Sequence, residues 1–274
     1  MDTILQPVAE PLVGALALLL FLFLTAACEG GYRFGLWRRG RMSKAEEEVT
    51  STSTITAGML ALLAFLLGLT INFAQERFEA RRDLVRVESN TIGTAWLRAK
   101  LVGGPNGEAL AAQIADYAKT RLAFTRADYN GPIGRLNAQT GEQQQKIWAL
   151  VTSVARKSPT PVSATLINAV NDMIDASLSQ RFAFETHVPG HMVYSLVFGS
   201  LIAIAALGYQ LGLVGYRQPV LTSLLLVMWT GGIVMTVDLN RPRLGDIRVE
   251  TAPLEWTIEG FKAPPAAPTP LPAP

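Results

Sequence analysis

Four charge-free apolar runs punctuate the chain: Leu12 to Cys28, Ile55 to Phe73, Met192 to Leu213 and Val220 to Val237. Each approaches the length a membrane-spanning helix needs, about 20 residues. One such run could be the buried core helix of a water-soluble protein. Four together predict an integral membrane protein with four transmembrane helices. The second run does not stop at the hydrocarbon edge. No proline occurs between Ser51 and Gly104, Gly58, Gly68 and Gly93 are isolated, and Gly103-Gly104-Pro105 ends the pattern. This predicts one continuous helix, roughly 75 Å long at about 1.5 Å per residue, against about 30 Å of hydrocarbon. Past the membrane, Ile71, Ala74, Phe78, Val85, Ile92 and Trp96 recur at near-heptad spacing, interrupted by Arg81 and Glu88. Glu79 with Arg82, and Asp83 with Arg86, stand three apart; such pairs support a helix by about 0.2–0.5 kcal/mol each.

Between the second and third runs the chain reads as helical and water-facing. Three helices are expected: about Asn106 to Ala127, Gly141 to Lys157 and Val162 to Phe184. Their inward sides would carry Leu110, Ile114, Tyr117 and Leu122; Ile147, Leu150, Val151 and Val154; and Leu166, Ile167, Val170, Ile174 and Leu178. DYNGPIG (Asp128 to Gly134) reads as a turn, and Pro189-Gly190 breaks the chain before the third span. The fold class is therefore an all-α membrane protein with four transmembrane helices, the second extended into a small helical extramembrane domain. The expected organisation is an N-terminal segment with the first span (1–28), a basic hairpin loop (29–53), the second span with its extension (54–103) and a helical extramembrane domain (104–190). The third and fourth spans (191–238), a charged segment (239–262) and a Pro/Ala-rich tail (263–274), expected to be disordered, complete the chain.

Composition adds little to this. Of 274 residues 49% are hydrophobic, concentrated in the spans, and the net charge of +2 averages over segments in different surroundings. A single cysteine, Cys28, excludes an intrachain disulfide and a cysteine-based metal site. The first ten residues hold no Lys or Arg, so a cleaved signal peptide is not expected, and Thr25-Ala26-Ala27-Cys28 resembles a lipoprotein site only faintly. Arg33, Arg38, Arg39, Arg41 and Lys44 follow the first span, with Tyr32 and Trp37 as interfacial anchors. That cluster reads as a topology signal or a lipid-headgroup contact. A first span bare before and basic after favours an external N-terminus; the totals on the two sides do not decide. With four spans the N-terminus, the central domain and the tail share one side.

Candidate chemistry is sparse. His187 and His191 are four apart, but Pro189-Gly190 keeps them off one helix, so no metal site is expected. No phosphate-cradling glycine loop, nucleophile elbow or acid–base pair stands out, so neither an enzyme nor a cofactor is expected. Nothing suggests a nucleic-acid partner. The second span carries a seam of small residues, Ala57, Ala61, Ala64 and Gly68, suited to close approach by another helix.

Two segments carry a resemblance. LTINFAQERFEARR (Leu69–Arg82) resembles the end of the second membrane helix of bestrophins, and DLNRPRLGDIRV (Asp238–Val249) follows the fourth span. With ESNTIGTAWLRA (Glu88–Ala99) and the four-span layout, most of the chain except the proline tail closely resembles the bestrophin-like domain family of bacterial membrane proteins. The resemblance to bestrophins proper is remote and rests on the exit of the second span and the architecture. It implies a homopentameric anion channel in the bacterial inner membrane, with small anions and the lipid bilayer as partners and the central domain in the cytoplasm, against the first-span charge argument. It also implies pore-narrowing positions at Ala61, Phe65 and Leu69, and a charged or polar cluster at the pore mouth: Asn72, Arg77, Glu79, Arg81, Arg82, Asp238, Asn240, Arg241 and Arg243. The chain departs from that pattern in having the small Ala61 where a bulky residue is usual, in lacking one aromatic after Arg77, and in having no recognisable acidic calcium clasp.

Simpler readings stand beside these. Ala61, Phe65 and Leu69 also suit lipid-facing or bundle packing, and Arg77 to Arg82 a solvated helix face. Asp238, Asn240, Arg241 and Arg243 suit a structural cap or salt bridge to the Arg77–Arg82 segment. An oligomeric anion channel and a non-conducting membrane scaffold or partner-binding protein of the envelope are therefore the two competing functions.

Overall fold

The structure is a computed structural model, and it describes residues 10–41, 45–128, 130–243, 245 and 247–262. Expectations for the first nine residues and for the proline-rich tail lie outside them. Among the described residues every regular element is an α-helix: α1 (Glu10–Arg39), α2 (Ala45–Val102), α3 (Gly104–Arg126), α4 (Ile133–Lys157), α5 (Pro161–Glu185), α6 (Gly190–Val214), α7 (Pro219–Asn240) and α8 (Ala252–Gly260). Four stretches are long and apolar enough to cross a membrane: Val13–Arg39 within α1, Glu48–Val102 within α2, Pro161–Val214 across α5 and α6, and Pro219–Asn240, which is α7. The chain is an all-α integral membrane protein, with α2 running unbroken from its span to Val102.

Three boundaries differ from expectation. Most of 29–53, expected as a hairpin loop, is helical: α1 runs on to Arg39 and α2 begins at Ala45. A Glu29–Arg33 pair at 2.8 Å supports that last stretch of α1, and Arg38 reaches Glu48 at 3.0 Å. α4 starts at Ile133 instead of Gly141, because Leu136 and Thr140 are also buried. The packed units differ as well. Among the described residues, those from 10 to 79 with 186–248 form one, and 80–185 with 249–262 the other, so the second unit takes in the end of α2 and the C-terminal α8.

In the first unit α1 and α6 meet backbone to backbone. A Cβ built on Gly208 would lie 2.0 Å from the Cys28 carbonyl oxygen, and one on Gly31 2.0 Å from that of Ala205. Gly35 and Gly212 are nearly as tight, a Cβ on each lying 2.3 Å from the Tyr209 and Tyr32 carbonyl oxygens respectively. With lipid tails as apolar as leucine, helices in a membrane associate largely through such close packing. Below this contact Leu20, Leu24, Leu63, Leu196, Ile204, Leu226, Trp229 and Ile233 form an apolar core. The Trp229 indole N–H is satisfied there by Ser200 Oγ at 2.8 Å.

The second unit packs α3, α4, α5 and α8 around the outer part of α2. Leu110, Ile114, Tyr117, Ile147, Val151, Val154, Leu166 and Val170 are buried as expected, and Leu122, Leu150, Ile167 and Ile174 half-buried. Leu178, expected inside, is 64% exposed. The inward places on that turn of α5 go to Ser177 and Gln180, which belong to a buried polar network. Arg121, on α3, gives Nε to Glu88 at 2.5 Å and Nη2 to Gln180, and its guanidinium lies 4.5 Å from the Phe124 ring centroid. Gln180 in turn donates to Thr125 at 3.1 Å. Gln144 donates to Ser177 Oγ at 2.8 Å and to Tyr117 Oη at 3.3 Å; burial pushes that phenol's pKa up. α8 is clamped onto α2 by Ser89, whose hydroxyl contacts the Pro253 carbonyl and the Thr257 hydroxyl at 2.7 Å each. Trp96 stacks on Phe261 at 4.7 Å.

Two predictions come from this packing. Gly208→Val should drive α1 and α6 apart and destabilise the purified protein by about 1–3 kcal/mol, as overpacking does. Gly14→Ala, where nothing lies within 4 Å, should leave thermal unfolding unchanged in the same assay. Arg121→Met alone strands the Glu88 carboxylate and should cost about 3–5 kcal/mol. Arg121→Met combined with Glu88→Leu should recover most of that loss. Additive effects in the double-mutant cycle would show that the pair is not coupled.

Candidate functional site

The span of α2 has a buried edge and an open face. Thr56, Leu63 and Thr70 are buried, seven residues apart, and Ala74 follows. At about 100° per residue, Ala61, Phe65 and Leu69 project roughly 160–240° around the helix from Leu63, on the side away from the bundle. Phe65 is 67% exposed and Leu69 40%. Ala57, Ala61, Ala64 and Gly68 flank that face and are also exposed; a Cβ on Gly68 would meet nothing within 4 Å. No helix among the described residues uses this seam. The close backbone contact that small residues permit lies between α1 and α6 instead, a pairing that sequence reasoning missed.

Where the span ends, α2 becomes polar on its open side. Asn72 donates to Glu76 at 2.9 Å and Gln75 to Glu79 at 3.0 Å, and Arg77 is exposed. These bonds tie each side chain to the next turn of its own helix.

The segment after α7 folds back around Asp238 within the same unit. The Asn240 side-chain oxygen accepts the Val188 N–H at 2.6 Å, and Val188 packs with Ala74 and Leu239. The Arg241 N–H closes the helix end on the Asp238 carbonyl at 3.2 Å. The Asp238 carboxylate lies so close to Gly245 that a Cβ there would stand 1.3 Å from Oδ1. A side chain at position 245 would have to displace that carboxylate. Arg241 is exposed and Arg243 half-buried in this turn.

In the second unit Arg81 is fully buried, against a helix face expected to be solvated, and gives Nε to the Ala183 carbonyl at 3.0 Å. Arg82 pairs with Glu250 at 3.3 Å, both side chains exposed, and Arg86 with Asp83 at 3.4 Å. An exposed pair is worth at most about 1 kcal/mol, so burial of Arg81 is the stronger constraint. The Thr251 hydroxyl and Arg126 hold the nearby Glu255 carboxyl below the usual carboxylate range.

His187 lies in the break after α5 and His191 in the first turn of α6. The described residues hold no group of three or more His, Cys, Asp or Glu side chains able to hold a metal ion.

Gly245→Ala must displace the Asp238 carboxylate from its seat. It should destabilise the protein by about 1–3 kcal/mol, as overpacking does. Gly134→Ala, where the space is open, is the matched control; equal melting temperatures for the two variants would remove the constraint.

The sequence matches the bestrophin-like domain over residues 14–254. A comparison with curated proteins gives no match. Among solved structures, a bacterial bestrophin homologue from Klebsiella pneumoniae, phased by zinc anomalous scattering, superimposes with a TM-score of 0.63 at 12% identity, over 90% of this chain and 94% of that one. Two point variants of the Klebsiella homologue give 0.63 at 13% identity (90% and 94% covered) and 0.62 at 14% (91% and 96% covered). At such identities the likeness is one of fold. The domain match extends over nearly the whole described chain, and the protein belongs to the bestrophin-like family.

Proposed function

We propose that this protein is a subunit of a homo-oligomeric anion channel of the bacterial inner membrane, pentameric by resemblance, with α2 lining the pore. The observation that carries this reading is the open face of α2. Phe65 and Leu69 project from it one turn apart while the opposite edge, Thr56, Leu63 and Thr70, is held in the bundle. Copies of α2 around an axis would present Phe65 and Leu69 as stacked apolar rings. Ions would then cross only when that path is wetted, and Arg77 at its end would favour anions. Ala61, one turn earlier, would leave the path wider. Ala57, Ala64 and Gly68 beside it would let neighbouring copies approach.

A scaffold function has one observation in its favour. The second unit exposes Leu97 and Leu101 on α2, and Leu178 and Phe182 on α5, with Phe182 70% exposed. Large exposed apolar surface outside the membrane fits a protein partner as well as a second copy.

Flux from proteoliposomes separates the two. Phe65→Ala with Leu69→Ala should raise chloride flux severalfold over the unaltered protein, and Arg77→Glu should shift preference from anions towards cations. A confirmed oligomer whose double-alanine form stays silent under chloride, nitrate and sodium gradients would sink the channel and leave the scaffold.

A further inference from the structure

The membrane unit holds an open crevice between α2 and α6, of about 570 Å3, lined by Ser53, Thr54, Thr56, Leu60, Leu207 and Gln210. We propose that it is a phospholipid site, which takes the glycerol-ester segment of one lipid with the headgroup at its outer rim. The proposal is independent of whether the protein conducts.

The donors come first. Ser53 and Thr54 spend their hydroxyl protons on the Thr50 carbonyl of their own helix, at 2.8 and 3.2 Å. Thr56 does not: it is 1% exposed, and its Oγ1 has no hydrogen-bond partner among the described residues. A buried hydroxyl without an acceptor is costly. Gln210 adds an amide to the same crevice. An occupant must therefore offer acceptor oxygens, and acyl chains offer none.

Depth then selects the acceptor. The rim is marked as interfacial by its side chains. Tyr209 donates to Glu48 at 2.7 Å, Arg38 pairs with the same carboxylate, Phe34 stacks on Trp37 at 5.5 Å, and Arg41 lies over the Trp37 ring at 3.9 Å. Aromatic rings with cations beside them gather at headgroup level. Thr56 lies eight residues along α2 from Glu48, roughly 12 Å inward at about 1.5 Å per residue. Thr56 is also the second residue of the charge-free run Ile55 to Phe73, so it lies where headgroups give way to chains. Ester carbonyls populate that level. The crevice offers them the Thr56 hydroxyl and the Gln210 amide, while Leu60 and Leu207 suit the first methylenes of the chains.

The test uses the purified full-length protein, delipidated in detergent and titrated with palmitoyl-oleoyl phosphatidylglycerol by native mass spectrometry. Wild type should hold one lipid per chain in preference to the other adducts. Thr56→Val with Gln210→Leu should weaken that affinity about tenfold, two hydrogen bonds being lost. Thr152→Val, a hydroxyl in the second unit, should leave it unchanged. Soluble glycerol 3-phosphate should fail to compete, since it lacks the ester oxygens. Displacement of the lipid by glycerol 3-phosphate would assign the site to a free phosphate and overturn the proposal. Unchanged lipid affinity in the double variant would overturn it too, as would a changed subunit number with the lipid affinity intact, since a neighbouring chain would then fill the crevice. Should the double variant fail to fold, a phospholipid carrying a diazirine beside its glycerol can be crosslinked to wild type. Labelling should fall on the peptides containing Ser53–Leu60 and Leu207–Gln210; labelling confined to other peptides overturns the site.

Discussion

Glu88 and Arg121 form an ion pair with almost no access to solvent, and the second unit is arranged around it. Taking two charges from water costs several kcal/mol each, recovered only when their remaining donors and acceptors are also satisfied. That requirement reaches all the long helices of the unit. α2 supplies Glu88, α3 supplies Arg121 and Thr125, α5 supplies Gln180 and Ser177, and α4 supplies Gln144, which reaches Ser177. A purely apolar core could slide by a turn at modest cost. A polar network cannot, because each member loses its partner on moving. The network therefore fixes the register of α2 against α3 and α5.

The membrane unit obtains its register by different physics. Carbonyl groups of α1 and α6 lie where Cβ atoms would otherwise be, with Gly31, Gly35, Gly208 and Gly212 interleaved. A shift of one residue along either helix would bring a side chain against a backbone. The apolar core of this unit includes the Trp229 to Ser200 bond between α6 and α7, while other polar contacts across it, such as Tyr209 to Glu48 and Val188 to Asn240, lie near helix ends. Shape specifies the packing there, and hydrogen bonding specifies it in the helical unit outside.

These two devices explain what could be read from sequence. The spans, the length of α2, the three following helices and the break at Pro189-Gly190 were legible, because hydropathy and helix punctuation are local signals. Arg81 and Glu88 were visible too, but as interruptions of an apolar heptad. Both are buried at heptad positions, and their partners lie far along the chain, at Ala183 and Arg121. Leu178 failed for the same reason: its helix turns Ser177 and Gln180 inward to complete the network. The glycines of α1 and α6 were each visible, yet their meeting is a tertiary fact that no spacing within one helix signals, and they are less regular than the Ala57–Gly68 seam. Gly245 gave no sign that it seats Asp238.

The candidate pore face was legible in part, and its two sources are independent. Ala61, Phe65 and Leu69 came from resemblance at the end of the second span. The rotation of α2 comes from packing, since Thr56, Leu63 and Thr70 must lie in the bundle and Ala74 must meet Val188 and Leu239. Nothing in the resemblance fixes that rotation. Had the bundle turned α2 by half a revolution, Phe65 would be a core residue and no arrangement of copies could bring it to an axis. With the rotation found, the bulky apolar residues and the small seam lie side by side on the surface one chain leaves uncovered. A lipid-facing helix has use for the first but none for the second, since acyl chains do not need a close backbone. A helix packed among copies of itself around an axis has use for both, which is why the channel reading is preferred to a span that merely faces lipid.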